Sequence, residues 1–447
     1  MGALIQKLFK LKENGTTIKT EIVAGITTFM TMAYILALGP AMLSGTGMDP
    51  VAVMFATSIA SAIGCFIMAG IANYPFALAP GIGSVAYFAT VCTTMNLEWK
   101  VALFIIFAEG LIFIAMSLTN VRESIVNAIP DSLKKGIAVG IGLFVAFIGL
   151  QDAGIIVSSP SLVALVNFKE NFSEQGIVAL LAIVGVIVIV ILSVKKIKGA
   201  ILIRIVITWM LGIVCQIAGI YKGASVIPVW QTYDVSVIGE TFAQCFNADF
   251  SSVNITDFIV IMLSFLYVDM FDTLGTVIGV SNKANMLDEN GKLPRMKQAL
   301  LADAVATSAG AVLGVPTITT FVESSSGVAE GGRTGFSSVV TGLLFVLAMF
   351  FSSLFIAIPG FAIAPALIYV GFLMASAVLN IDFNDLTESV PAYLSFIFMP
   401  LTYSICDGIA IGVVAYVLIN LFTGKHKKIT PVMYILVVMF LAKYCFL

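Results

Sequence analysis

Charged residues are scarce in this sequence. Asp, Glu, Lys and Arg make up 11% of the 447 residues, whereas hydrophobic residues make up 60%, and the mean hydropathy is +1.06. A soluble domain carries about 25% charged residues, so this composition excludes a chain whose whole surface lies in water. The net charge of −2 and the lack of a basic stripe also exclude a nucleic-acid-binding face.

Residues that build metal, redox and hydrolytic sites are also few. The sequence has a single histidine, His426, and no two cysteines in a Cys-x-x-Cys spacing. The six cysteines are Cys65, Cys92, Cys215, Cys245, Cys406 and Cys445. Free cysteines in apolar segments behave as small buried hydrophobes, so we expect no metal and no cofactor. With no serine, histidine or cysteine constellation and no Gly-x-x-x-x-Gly-Lys-Ser/Thr motif, we expect neither an enzyme nor an ATP-driven pump.

Long uncharged runs are present instead. Residues 179–194 and 340–357 contain no charge over lengths close to the ~20 residues that cross a bilayer as a helix. These runs do not alternate apolar and polar residues as outer-membrane strands do, so they predict helices. The candidate spans are 21–44, 49–72, 76–94, 100–118, 132–157, 174–195, 199–222, 255–281, 296–315, 319–334, 336–357, 361–380, 388–422 and 430–447.

The end of the chain departs from a series of single crossings. Residues 388–422 are too long for one ordinary crossing and contain two prolines. The basic cluster at 425–428 belongs on the cytoplasmic side, which favours a helical hairpin within 388–422. The segment 430–447 either spans the bilayer or lies in its interface.

Basic residues fall on one side of the membrane if each earlier span crosses once. They are Lys134, Lys135, Lys195, Lys196, Lys198, Lys283, Lys292, Arg295 and Lys297. In contrast, the polar stretch 223–254 contains no Lys or Arg. Cytoplasmic loops carry an excess of these residues. We therefore expect the N-terminal leader, residues 1–20, in the cytoplasm and 223–254 outside the cell membrane.

Two interruptions divide the spans into similar halves. Residues 75–84 read PFALAPGIGS, residues 316–335 read PTITTFVESSSGVAEGGRTG, and each is the third segment of its half. Both are too rich in Pro, Gly and Ser for an uninterrupted helix. Paired interruptions at matching places indicate a transporter with its binding site near the bilayer midplane. We therefore predict inverted repeats over 21–222 and 255–447, joined by the extracellular linker 223–254.

Three acidic residues accompany these interruptions. Asp269 and Asp272 have the i, i+3 spacing that places both on one helix face. Glu323 directly precedes Ser324 in the second interruption, where a half-helix would turn its N-terminal amides toward an electron-rich ligand atom. An ionisable side chain in the hydrocarbon costs about 2.5–3.5 kcal/mol. These acids therefore either bind substrate and protons, or hydrogen-bond neighbouring helices and a water pocket.

Six stretches of this chain match a known family. They are EIVAGITTFMTMAYIL at 21–36, ANYPFALAPGIG at 72–83, AIPDSLKKGIAVGIGLFVAFIGLQDAGIIV at 128–157, FDTLGT at 271–276, TITTFVESSSGVAEGGRTG at 317–335 and MPLTYSICDGIAIG at 399–412. On these stretches the chain resembles the nucleobase–cation symporters of the uracil-permease fold, specifically the adenine/guanine/hypoxanthine permease branch. The resemblance implies an all-α polytopic membrane protein, with about 14 transmembrane segments as two inverted seven-segment repeats. It also implies core and gate domains, a homodimer, and two broken half-helices that each follow a short extended piece.

The resemblance also implies roles for individual residues. In these permeases the eighth helix and the tenth segment supply binding acids. The third segment of the family carries an asparagine where Val85 stands here, which removes a polar group. From the resemblance we expect substrate contacts from Asp269, Glu323, Ser84, Val85, Ser324 and Phe271, and proton coupling by Asp272, Asp269 and Glu323.

The predicted function is uptake of a purine nucleobase by proton symport with alternating access. Carboxylates that accept N–H bonds favour guanine or hypoxanthine, which present an N1–H donor, whereas adenine would need a protonated acid. Two alternatives stay open. One is a transporter of the same fold for xanthine, uracil or an inorganic anion, or one coupled to sodium. The other is a non-transporting receptor or channel on this scaffold. The expected partners are the nucleobase, membrane lipid and a second copy of the chain.

Overall fold

A computed structural model of the protein describes residues 2–119, 129–159, 162–197, 199–228, 231, 233–251, 253–284, 286 and 293–446. The helices of the first half are α1 (Gly2–Leu8), α2 (Ile18–Met32), α3 (Ile35–Leu43), α4 (Pro50–Ile67), α5 (Ile82–Thr94), α6 (Trp99–Leu118), α7 (Asp131–Asp152), α8 (Ile177–Val194) and α9 (Ala200–Ile217). The helices of the second half are α10 (Ile255–Lys283), α11 (Met296–Leu313), α12 (Ser324–Ala329), α13 (Gly335–Ala348), α14 (Ser352–Ile356), α15 (Gly360–Ala375), α16 (Leu386–Thr402), α17 (Ile405–Phe422) and α18 (Pro431–Phe446). The strands are β1 (Leu78–Pro80), β2 (Ile156–Ser159), β3 (Leu162–Leu165) and β4 (Ile318–Thr320).

The long helices have the length and composition of membrane spans. Within the described part of the chain, eight helical stretches are long and apolar enough to cross a bilayer, the first at Ile18–Thr46 and the last at Gly360–Asn380. Large apolar side chains such as Val194 and Ile217 are exposed on their outer faces, where lipid replaces water. The prediction of a helical polytopic membrane protein is confirmed.

The first predicted span, 21–44, is divided into α2 and α3. The helix ladder changes at this point, because the N–H of Ala37 donates to the carbonyl of Tyr34, one turn of the tighter 3₁₀ kind. Pro40 lies inside α3 and supplies no N–H to the turn before it. The interruption places Tyr34, which is fully buried, between the two helices.

The predicted span 132–157 is too long by one turn. Helix α7 ends at Asp152, and Gly154 adopts a left-handed conformation with φ of 64°, which glycine permits and a helix cannot continue through. The β-branched residues that follow form β2, which pairs antiparallel with β3 from Ile156↔Leu165 to Ser159↔Leu162. The sequence did not predict this hairpin, because its apolar residues read as a continuation of the helix.

The predicted hairpin in 388–422 is confirmed. Helices α16 and α17 meet at Tyr403, which has a φ of 54°, and Ser404 caps α17 by accepting the N–H of Asp407. Segment 430–447 forms helix α18, with Met433 buried on one face and Val438 exposed on another.

The two interruptions meet in the centre of the molecule. Strands β1 and β4 pair antiparallel, with Leu78 opposite Thr320 and Pro80 opposite Ile318. The N–H of Phe321 donates to the carbonyl of Ala77, and the N–H of Gly81 donates to that of Thr317. Both strands are buried. Extended backbone at membrane depth is tolerated only where its polar groups are satisfied inside protein, and this ladder supplies those partners.

Helix α2 anchors the segment that follows the second interruption. The buried carboxylate of Glu21 accepts the N–H groups of Arg333, at 2.8 Å, and of Ser337, at 3.1 Å. A carboxylate at the first turn of α13 also opposes the positive end of the helix dipole. Glu21 therefore fixes the position of the chain between α12 and α13.

Candidate functional site

A cavity of about 460 Å³ lies where the two interruptions meet α7, α10 and α15. This volume falls within the roughly 300–1,000 Å³ typical of small-molecule sites. We call it the break cavity, and its lining residues are Ile82, Gly83, Ala138, Ile141, Asp272, Thr276, Thr319, Thr320, Phe321, Val322, Glu323, Val370, Leu373, Met374 and Ala377. Two carboxyl groups in a mostly apolar wall make it the candidate binding site.

Glu323 is held by a tyrosine from the first half of the chain. The hydroxyl of Tyr34 donates to Oε1 of Glu323 at 2.9 Å. A hydrogen bond to an ionised acceptor is among the stronger ones in proteins, and it fixes one carboxyl oxygen. The sequence analysis did not single out Tyr34. The signal that could have revealed Tyr34 is its phenol group, a polar group in the apolar part of the matched stretch 21–36.

Asp272 approaches the first interruption closely. Its Oδ2 lies 3.5 Å from the hydroxyl of Thr319, which can donate to it. A Cβ atom at Gly81 would lie 3.2 Å from the same oxygen and 2.8 Å from the Thr319 hydroxyl. Glycine at position 81 is therefore required by the approach of α10 and β4 to the turn before α5.

Asp269 lies in a separate polar cluster. The hydroxyl of Thr273 is 3.0 Å from Oδ1 of Asp269 and 3.0 Å from Oδ1 of Asp303. All three side chains are fully buried, and among the described residues none of them is part of the break cavity wall. The two acids predicted on one face of α10 thus have different surroundings: Asp272 faces the cavity, and Asp269 contacts the Thr273–Asp303 pair.

The predicted site residues of the first interruption are buried beside the cavity. Ser84 and Val85 are 0% and 2% exposed, and the described wall reaches α5 only at Ile82 and Gly83. The Ser84 hydroxyl has no hydrogen-bond partner among the described residues. The side chain of Phe271 lies outside the described residues, so its predicted contact stays a prediction.

Ser324 connects the two interruptions. Its hydroxyl accepts the backbone N–H of Ala77 at 2.9 Å. The N–H groups of Ser324, Ser325 and Ser326 donate to the carbonyls three residues before them. Contrary to the sequence-based expectation, the amides at the start of α12 are already used within the chain, because the helix has only six residues and opens with tight turns.

A buried acid on α6 accepts a hydrogen bond from the residue that precedes β4. Glu109 is 0% exposed and accepts the hydroxyl of Thr317 at 3.2 Å. The carbonyl of Thr317 in turn accepts the N–H of Gly81 at 3.0 Å. This contact favours a positioning role for Glu109, since it holds the residue that precedes β4.

Three comparisons place the chain among known proteins. The family model described as "Permease family" matches residues 19–411. The chain is 42% identical over 456 residues to guanine/hypoxanthine permease PbuG of Bacillus subtilis, covering 99% of this chain and 100% of that protein. It is 40% identical over 449 residues to adenine permease AdeP of Escherichia coli, covering 99% and 96%.

A solved structure supports the fold. The transmembrane domain of the cyanobacterial bicarbonate transporter BicA aligns with a TM-score of 0.66 over 89% of this chain and 97% of that domain. The identity is 14%, so this likeness concerns the fold alone.

Proposed function

Because the chain belongs to the permease family whose model matches residues 19–411, we propose that it is a secondary active transporter that takes up a purine nucleobase by proton symport. The observation that carries the proposal is the pair of carboxyl groups, Asp272 and Glu323, in the wall of one cavity at the meeting of two broken segments. Relatives that match nearly the whole chain are named for adenine and for guanine/hypoxanthine, which supports a purine.

The chemistry of the wall favours a ligand that donates hydrogen bonds. Tyr34 occupies Oε1 of Glu323, which leaves Oε2 to accept an N–H group. Asp272 offers a second acceptor. Guanine and hypoxanthine present an N1–H donor to an ionised carboxylate, whereas adenine presents an acceptor there and needs a protonated acid. We therefore favour guanine or hypoxanthine over adenine.

The second acidic cluster suits a proton. The Thr273 hydroxyl has one hydrogen to donate but lies within hydrogen-bond distance of Asp269 and Asp303. Both contacts are hydrogen bonds only when one carboxyl is protonated and donates to the hydroxyl oxygen. The sequence analysis expected Asp269 to contact the substrate, and Asp272 and Glu323 to share in proton coupling. Because Asp272 and Glu323 line the cavity and Asp269 does not, we propose instead that Glu323 and Asp272 hold the base. Asp269 then carries the coupling proton together with Asp303.

The architecture supports alternating access. We propose two inverted seven-segment repeats, 21–222 and 255–447, joined by the linker 223–254 and arranged as a core domain and a gate domain. Two repeats of inverted orientation would bring their corresponding strands together antiparallel, as β1 and β4 are paired. The break cavity contacts the half of α7 that begins at Asp131, next to the basic pair at 134–135, so we propose that it faces the cytoplasm.

Proton symport supplies a bounded driving force. One elementary charge that crosses 100 mV gains about 2.3 kcal/mol. At about 1.4 kcal/mol per factor of ten, this limits accumulation to roughly 50-fold per 100 mV.

A ligand panel on the purified protein tests the proposal. We expect guanine, hypoxanthine or adenine to raise the melting temperature of the parent chain, and a saturating ligand at 100 times its Kd adds about 2.7 kcal/mol of stability. Glu323→Gln should weaken this shift, while Glu13→Gln, whose side chain is 70% exposed, should not. Equal stabilisation of the parent and Glu323→Gln by purines contradicts the site.

Two further assays separate the alternatives. In an anion carrier of this fold, sulfate or bicarbonate should compete with labelled purine and lower its uptake. Two carboxyl groups in one wall repel anions, so we expect no such competition. Counterflow in proteoliposomes distinguishes a transporter from a channel or receptor, because only a carrier exchanges labelled purine against unlabelled purine on the other side.

A further inference from the structure

A second cavity, of about 410 Å³, lies beyond the first along α5, α7 and α15, and it also contacts α3. We call it the Tyr403 cavity, and its wall includes Thr90, Thr93, Asp152, Ile363 and Tyr403. Its volume is close to the 460 Å³ of the break cavity, and also falls within the range of small-molecule sites.

The two cavities contact opposite ends of α7 and α15. The break cavity touches α7 at 138–141 and α15 at 370–374, with Ala377 just beyond the end of α15. The Tyr403 cavity touches α7 at 148–152 and α15 at 360–367. On α5 the walls are separated only by the step from Gly83 to Ala86, which is ~4.5 Å at 1.5 Å per residue. The two cavities therefore lie in line, with a thin barrier between them.

Apart from the phenol of Tyr403, which can donate or accept, the polar side chains of the Tyr403 cavity are acceptors. Asp152 contributes a carboxylate at the end of α7, where it is exposed. The hydroxyls of Thr90 and Thr93 donate their hydrogens to the carbonyls of Ala86 and Ala89, so toward the cavity they present lone pairs. A ligand that fits these groups must itself donate hydrogen bonds.

Tyr403 adds an aromatic face in a backbone conformation that few residues adopt. Its φ of 54° is left-handed, which is uncommon for a residue other than Gly, Asn or Asp. The ring packs edge-on against Phe144, with centroids 5.4 Å apart, and lies 6.2 Å from Phe147. Tyr403 ends α16 in this conformation, which fixes the place of its ring at the cavity.

We propose that the Tyr403 cavity is a second binding site for the same class of ligand, a planar heterocycle with N–H donors. Asp152 accepts an N–H group of the ligand, and the Tyr403 ring contacts its face. The inference rests on the proposed function, since it takes the ligand to be the transported base. The base occupies this site on the side of the barrier opposite the break cavity, before or after it binds Glu323.

Protection of an introduced cysteine tests this site. Thr93 is exposed and lines the cavity, so Thr93→Cys should react with a thiol reagent in the purified full-length protein, with the parent chain as background. Hypoxanthine should slow the reaction in Thr93→Cys, and also in Thr93→Cys combined with Glu323→Gln. Adding Asp152→Asn should raise the half-protecting concentration at least about tenfold, as loss of a charged acceptor does. Ala89→Cys provides a second reporter on the same wall.

A matched control lies on the same helix. Asp131, at the other end of α7, is 82% exposed and pairs with Lys134, so Asp131→Asn should change the protecting concentration less than twofold. Protection that is lost with Glu323→Gln but kept with Asp152→Asn overturns the inference, because the cysteine then reports only binding in the break cavity. Uptake of hypoxanthine without any protection also overturns it. A parent chain that neither binds nor transports purines contradicts the proposed function itself.

Discussion

The two interruptions at the centre of the molecule have the same backbone design but different chemistry. In the first, β1 leads through Gly81 into the 13-residue helix α5, whose side chains at the cavity are apolar or absent. In the second, β4 leads through Glu323 into the six-residue helix α12, and the acid enters the cavity. The first interruption supplies space for close approach, and the second supplies the charge. Two interruptions that meet at one site can thus contribute different properties to it.

The largest expected effect comes from removing the charge of the second interruption. Glu323→Gln should lower purine affinity by about tenfold to a hundredfold, since a hydrogen bond to a charged group contributes about 1.5–3 kcal/mol. Ser84→Ala, in the first interruption, should lower it by less than about tenfold. Binding isotherms of the purified variants measure both. The comparison fails if Ser84→Ala costs as much as Glu323→Gln.

Filling the space of the first interruption should have the next largest effect. Gly81→Ala would place a Cβ 2.8 Å from the Thr319 hydroxyl and 3.2 Å from Oδ2 of Asp272, and overpacking costs about 1–3 kcal/mol. We expect a lower melting temperature together with a loss of uptake. Gly70→Ala is the control, because no atom lies within 4 Å of its Cβ position. Unchanged uptake in Gly81→Ala would show that the close approach is dispensable.

Loss of the hydrogen bond from Tyr34, between α2 and α3, to Glu323 should lower purine affinity less. Tyr34→Phe removes the donor to Oε1 of Glu323 but retains the ring and most of its packing. The bond orients Glu323 and does not itself reach the ligand, so only part of its roughly 1.5–3 kcal/mol should appear in binding. We expect a roughly two- to tenfold rise in the dissociation constant of the purine. Tyr74→Phe, on the far side of the first interruption, serves as a comparison. A normal affinity in Tyr34→Phe would mean that Glu323 is oriented without this bond.

The smallest effect should come from an acid outside both interruptions. Hydrogen bonds from Thr387, and then from Lys425 and Lys428, hold the pKa of Asp385 well below its usual value. A depressed folded-state pKa contributes stability that is present above the unfolded pKa of about 3.9 and is lost as the pH falls through the folded value. Asp385→Asn should therefore lower the melting temperature slightly at pH 7 and not at strongly acidic pH.

Purine affinity at pH 7 should be unchanged in Asp385→Asn, since Asp385 lies outside the break cavity. Melting curves at several pH values, with affinity measured in parallel, check both statements. A loss of affinity comparable to that of Tyr34→Phe would show that a charge outside the two interruptions also affects purine binding.

Much of this arrangement could be predicted from the sequence, because Pro, Gly and Ser interrupt helices for local reasons. The interruptions at 75–84 and 316–335 followed from such signals. The hairpin in 388–422 followed instead from the length of the segment and the basic cluster after it, and both of its prolines lie inside α16. The different surroundings of Asp269 and Asp272 did not follow from the sequence, because the i, i+3 spacing leaves a 60° offset at 100° per residue. Which neighbour fills that offset depends on α11 and β4. Likewise, the contact of Tyr34 with Glu323 joins residues far apart in sequence, and no local pattern reports it.

The three-residue ladder between β1 and β4 has a consequence for how the chain is made. The backbone of Leu78 finds a partner in the Cys65 thiol, within the first half of the chain. The rest of β1 pairs with residues 318–320, which the ribosome supplies much later. Unpaired N–H and C=O groups are expensive in hydrocarbon. The nascent first half must therefore keep this segment hydrated or shielded by the insertion machinery until the second half arrives. Assembly of the centre of the protein is then one of the last events of its biogenesis, and the membrane helices around it must remain loosely packed until that moment.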